Sequence, residues 1–166
     1  MIITEEIAQS IESSVLCWFA TVAPDGSPNV SPKEAFMHDG NGRIIVAHIA
    51  SPQTVHNIES DPRVCLSFID VFTQKGHKVR GTAKILRESN KRYLDQKSNL
   101  AQLIGDTFRI LAVIEVEPTE IEEIITPSYR MFPDVTTSRM VQQSLTTYKV
   151  TEYQNRGQES SDSNVD

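Results

Sequence analysis

Cysteine is scarce. Only Cys17 and Cys65 occur among 166 residues, both inside apolar, strand-like runs. Two thiols so placed exclude a disulfide framework and suit buried groups in a reducing compartment, so a cytoplasmic protein is expected. Long apolar runs are also missing. The longest, around Val15–Ala20, is far below the roughly 20 residues that a membrane span needs. The opening MIITEEIAQS has neither a basic nor an apolar stretch, so no secretory signal is expected. No P-loop, Gly-x-Gly-x-x-Gly or Gly-x-Ser-x-Gly pattern occurs, which argues against nucleoside triphosphates, Rossmann dinucleotides and a nucleophile elbow. The histidines, His38, His48, His56 and His77, lack ligand spacing and a nearby cysteine pair, so no metal site is expected. Nor is there a basic surplus. A net charge of −6 disfavours a nucleic-acid binder, which needs lysine and arginine against phosphates.

The charge that is present is unevenly spread. Between Gln74 and Lys97 eight bases face only two acids, whereas Glu152–Asp166 carries four acids and one base. The basic run reads either as a solvated strand and helix face or as a local field for a small anion. Beyond Tyr153 the chain has no aromatic and one aliphatic residue. Residues 151–166 are therefore expected to be a disordered acidic tail after one domain over residues 1–150.

Within that domain the pattern predicts a meander of hairpins followed by mixed elements. Thr4–Ser13 has a threonine cap, two glutamates at the positive end of the helix dipole, and Ile7 and Ile11 one turn apart. Val15–Val22, Asn29–Met37 and Arg43–Ile49 predict strands, separated by Pro24-Asp25-Gly26 and Asp39-Gly40-Asn41-Gly42 turns. Pro32 places the second strand at an edge or bulge. Ser51-Pro52 opens a helix, Arg63–Asp70 and Lys78–Leu86 predict strands, and Ser89–Ile104 a helix with Tyr93, Leu94, Leu100, Leu103 and Ile104 as apolar positions. Phe108–Val116 is a sixth strand, Glu120–Thr126 a candidate seventh, and Thr136–Tyr148 a final helix. Short strands with turn signals and several helices point to a small, decorated β-barrel.

The helix inserted after the third strand is the odd element. Its start exposes the amides of Gln53, Thr54 and Val55 beside the hydroxyls of Ser51 and Thr54, which is the chemistry of an anion site. Equally, Ser51 serves as an ordinary cap of its own helix.

Trp18–Phe36 (WFATVAPDGSPNVSPKEAF), Ile44–Asp70 (IIVAHIASPQTVHNIESDPRVCLSFID) and Gly76–Ile85 (GHKVRGTAKI) together resemble the pyridoxamine 5′-phosphate oxidase-like FMN-binding split-barrel family. The junction Asn57, Pro62, Val64 carries much of the likeness. The resemblance implies a mainly β (α+β), six-stranded split β-barrel with Greek-key-like topology and peripheral helices. It also implies a homodimer with two FMN molecules in clefts between subunits. By position, Ser31 and Lys33 face the cofactor, and Ala47, His48, Ile49 and Ala50 run along the flavin ring. Ser51, Gln53, Thr54 and Val55 surround the phosphate, and Gln74, Lys75 and Gly76 form a loop that reaches the partner's cofactor. Lys33 would steady negative charge on the reduced ring.

The chain departs from the true oxidases in two places. Gln53-Thr54 stands where they carry an Arg-Lys pair, and no tryptophan follows Trp18 to hold pyridoxal phosphate. The resemblance therefore implies an FMN-dependent oxidoreductase on an unidentified small molecule rather than a vitamin B6 oxidase. The other readings are a flavin-binding protein without turnover, a haem-binding barrel using His48 or His77, and a cofactor-free interaction module. Ser128-Tyr129-Arg130 reads as a turn or as a lid on the substrate side.

Overall fold

The computed structural model describes residues 3–105 and 108–150, so the expected tail over residues 151–166 lies outside the described residues. In chain order the elements are α1 (Glu5–Ser13), β1 (Cys17–Val22), β2 (Pro28–Lys33), β3 (Phe36–His38), β4 (Ile44–His48), α2 (Pro52–Ser60), β5 (Arg63–Asp70), β6 (Lys75–Leu86), α3 (Tyr93–Ile104), β7 (Ala112–Ile125), α4 (Ser128–Met131) and α5 (Thr137–Tyr148). The described residues fall into two compact units, one within Met1–Ile69 and Gly76–Ile124, the other within Asp70–Lys75 and Ile125–Asp166.

The strands form one sheet in the order β2-β1-β5-β6-β7-β4-β3. Its edges are β2 and β3, yet only Glu34 and Ala35 separate them in the chain. Three residue steps span at most about 11 Å, whereas six flat inter-strand spacings would hold the edges about 29 Å apart. The sheet must therefore curl until its edges nearly meet, and the result is a split barrel with its seam at residues 33–36. A backbone bond from Ala47 N to the Ala35 carbonyl, 2.8 Å, joins β4 to the seam.

Seven strands replace the expected six. The predicted second strand breaks at Glu34-Ala35 into β2 and β3, because the chain crosses there from one sheet edge to the other. At the far end, the sixth and seventh segments merge into β7, despite Pro118. A Cβ on Gly81 would lie 2.4 Å from the Glu117 carbonyl oxygen and 3.2 Å from Pro118 Cα. The missing side chain lets β6 and the proline pass closely, so the strand continues. Pro32 sits on edge strand β2, opposite Trp18, where it breaks no ladder.

Two apolar clusters fill the barrel unit. Phe19, Leu66, Phe68, Val79 and Ile114 centre one, and Ile45, Leu86, Tyr93, Leu100 and Val113 the other. The helix predicted from Ser89 begins only at Tyr93, since Asn90 Oδ1 accepts from Arg92 N at 2.9 Å and holds a turn instead. Two of its expected apolar positions, Leu94 and Leu103, are exposed rather than packed. Among the described residues, no helix is long and apolar enough to cross a membrane.

The basic run resolves into pairs. Lys78 meets Glu122 at 2.8 Å, Arg80 meets Glu120 and Glu122 at 2.6 and 2.5 Å, and Arg87 meets Glu59 at 2.7 Å. Glu115, 2% exposed on β7, takes Lys84 at 2.9 Å, Arg43 at 3.8 Å and Arg92. Lys78, Arg80, Lys84, Arg87 and Arg92 of that run thus meet carboxylates remote in sequence.

In the second unit the Tyr129 hydroxyl donates to the Thr73 carbonyl at 2.9 Å, and the Ser144 hydroxyl to the Phe72 carbonyl at 3.0 Å. Ser128-Tyr129-Arg130 belongs to the short helix α4.

Candidate functional site

The barrel seam and the start of α2 meet at one place. β2 turns alternate side chains inward, and its last residue, Lys33, lies opposite buried Cys17 and is itself only 6% exposed. A lysine so buried loses hydration, and desolvation pushes its pKa below 10.5. Its ammonium donates to Ser51 Oγ at 2.5 Å and to Thr54 Oγ1 at 3.4 Å. Ser31 Oγ lies 3.1 Å from Thr54 Oγ1. Among the described residues, no carboxylate pairs with Lys33.

Ser51 is the residue before α2 but makes no side-chain cap bond. Its oxygen accepts from an ammonium instead, which leaves its proton available to a ligand. Beside it, the amides of Gln53 and Thr54 have no carbonyl one turn earlier within the helix. The Val55 amide, offered from sequence as a third donor, is already bonded to the Ser51 carbonyl at 3.4 Å. A positive helix end, a buried ammonium and two hydroxyls therefore converge, and among the described residues no carboxylate is bonded to them, although Glu34 lines the same cavity.

They border a cavity of ≈ 430 Å³ whose walls include Ser31, Lys33, Ala47, Ile49, Ala50 and Ser51. Thr54 supports it from behind through its bonds to Lys33 and Ser31. Gln53 does not line it, and its side-chain Nε2 donates to Asn57 Oδ1 at 2.6 Å. Asn57, fully buried, passes the tie on to Thr21 Oγ1 at 2.9 Å and anchors α2 on β1. His48 lies beside the cavity without lining it. Burial first, then Lys33 and Arg87, hold its pKa below 6.5, so its ring is neutral at pH 7.

The loop expected over Gln74–Gly76 is not one piece. Gln74, at φ 56°, precedes β6, which takes in Lys75 and Gly76. Lys75 stacks on the Tyr129 ring at 4.4 Å within the second unit. A Cβ on Gly76 would meet the Phe68 carbonyl oxygen at 1.9 Å, so glycine is required there for strand approach. Sequence reasoning missed Glu34, Ala35, Ile104 and Phe108, which complete the cavity wall. Glu34 and Ala35 fell inside the expected strand Asn29–Met37, and nothing local marks Ile104 or Phe108 as wall residues.

A family model described as pyridoxamine 5′-phosphate oxidase matches residues 3–125. The chain belongs to that family. Among solved structures, this family member is similar to HupZ of Group A Streptococcus, at 29% identity and TM-score 0.63, covering 73% of this chain and 92% of that one. An FMN-binding protein from Syntrophomonas wolfei shares the fold at 15% identity and TM-score 0.63, covering 74% and 86%. So does HutZ, the haem storage protein from Vibrio cholerae, at 17% and 0.60, covering 75% and 95%. No curated protein matches the chain.

Proposed function

We propose that the chain binds FMN, with its phosphate against Lys33, Ser51 and the first amides of α2, and uses it for oxidoreduction of a small molecule in the cytoplasm. The observation that carries this reading is the buried Lys33 ammonium, bonded to two hydroxyls and to no carboxylate. A phosphate ester supplies the missing charge, as a dianion above its second pKa near 6. The Arg-Lys pair absent at Gln53-Thr54 is thereby replaced by a cation arriving from β2. A bound flavin supplies the hydride or electron chemistry, leaving the protein to hold and orient it. Ala47, Ile49 and Phe108 give an apolar wall for a ring system. Haem fits less well, because no histidine among the described residues lines this cavity to reach an iron. Cys17 and Cys65 are free thiols, which suits a reducing compartment.

The reading includes a homodimer. Trp18 and Val30 are 50% and 58% exposed, and the β1–β2 register sets Trp18 beside Pro32 and Ala20 beside Val30 on one face. An exposed tryptophan among apolar neighbours suits a surface covered by a second copy. Native mass spectrometry of the purified protein is expected to read two 18.6 kDa chains carrying two FMN molecules. A monomer without flavin after incubation with FMN, or a haem adduct in its place, would contradict the proposal.

A further inference from the structure

A second cavity, ≈ 600 Å³, adjoins the first, since Glu34 and Ile104 line both. Its floor is apolar, built from Ile11, Phe36, Met37, Leu103 and Ile104. Among the described residues, Glu12 and Glu34 line it and no lysine or arginine does. The remaining titratable wall group, His38, is 2.9 Å from Glu12 Oε1. Glu34 makes no ion pair among the described residues. Leu103, one of the apolar positions expected on α3, is 57% exposed on this wall.

These features select a ligand class. An apolar floor removes hydrocarbon from water, at about 25 cal/mol per Å² buried. Two carboxylates over that floor repel an anion, leave a neutral molecule unaided and attract a cation. Asn99 and Gln102 add amide groups to the rim, able to accept hydrogen bonds from an ammonium.

We infer that the cavity between α1, β3 and α3 binds an organic ammonium ion, its apolar body on Phe36, Met37 and Leu103 and its charge toward Glu34 and Glu12. That this ion is the substrate class of the adjoining site rests on the FMN reading; that the cavity binds it does not. The charge order is opposite in the two cavities, with phosphate held by Lys33 on one side of Glu34 and ammonium held by the carboxylates on the other.

The test uses the full chain without added flavin and three probes of one shape: 4-phenylbutylamine, 4-phenylbutanol and 4-phenylbutyrate. Methyl resonances of Met37, Leu103 and Ile104 report the binding. The amine is expected to shift them and to bind about four- to 25-fold more tightly than the alcohol, with the carboxylate weakest. Each exposed ion pair contributes about two- to fivefold. In the double variant Glu12→Gln, Glu34→Gln the amine should lose its advantage while the alcohol binds as before. Equal binding of the three probes, tightest binding of the carboxylate, or no shift of those methyls would overturn the inference. Repeating the titration with Lys33→Met separates the two readings, because amine binding should survive a substitution that weakens FMN.

Discussion

Replacing Lys33 by methionine is expected to leave the ligand-free protein at least as stable while lowering FMN affinity about 10- to 100-fold. The two halves follow from one feature. Lys33 is 6% exposed and pairs with no carboxylate, so its charge is desolvated without compensation until an anion arrives. Methionine fills a similar volume and carries no charge, and exchanging a poorly compensated buried ion for an apolar side chain is often neutral or stabilising. A charge-assisted hydrogen bond contributes about 1.5–3 kcal/mol, which sets the loss in affinity.

The pH dependence has a definite sign. Burial lowers the folded-state pKa of Lys33 below 10.5. Between that lowered value and 10.5 the unfolded chain binds the extra proton, so stability rises with pH across this window. FMN affinity should fall over the same window, as the ammonium it needs is lost. Both slopes should vanish in Lys33→Met, with thermal unfolding and flavin fluorescence as the readouts. A variant that binds FMN as tightly as the parent would contradict the assignment.

Glu115→Ala is expected to be among the most damaging single substitutions in the barrel unit. Glu115 is 2% exposed, opposite Ile45 in the β4–β7 ladder, and holds Lys84, Arg43 and Arg92. Removing its carboxylate leaves Lys84 and Arg92 facing a buried point without their partner and leaves Arg43 with Asp39 alone. Breaking a buried pair from one side costs about 3–5 kcal/mol. For a chain of this size each kcal/mol moves Tm by about 2–4 °C, so a fall of about 6–20 °C is expected. Lys84→Ala serves as the control. Its side chain is 59% exposed, and the loss should stay within about 1 kcal/mol. A Glu115→Ala protein unfolding within 2 °C of the parent would show that the cluster is not a structural anchor.

Much of the fold was legible because its signals are local. Thr4 caps α1 as its position predicts, accepting from Ile7 N at 3.4 Å. Gly26 and Gly40 take positive φ where the turns require it. Val64, Leu66 and Phe68 are buried as their alternation predicts. The misses arise where distant residues decide. Pro118 reads as a strand break until Gly81 is seen across from it. The basic stretch left a solvated face and a local field both open, and the partners Glu59, Glu115, Glu120 and Glu122 come from distant parts of the chain.

The site divides in the same way. The opening of α2 is written in Ser51-Pro52, a local motif. That Lys33 bonds Ser51 and Thr54 follows from the seam bringing residues 18 and 21 apart into contact, which no local pattern encodes. Ile104, at the end of α3, and Phe108 beyond it line the cavity wall without any motif of their own.

The central claim is that a phosphate ester neutralises the buried ammonium at the start of α2. Parallel titrations of the purified, flavin-free protein with FMN and with riboflavin isolate that group, since the ring system is common to both. FMN should bind at least 100-fold more tightly, as two or more charged hydrogen bonds at about 1.5–3 kcal/mol each require. Equal affinities would mean that the phosphate finds no partner in this chain, and the assignment of Lys33, Ser51 and Thr54 would be wrong.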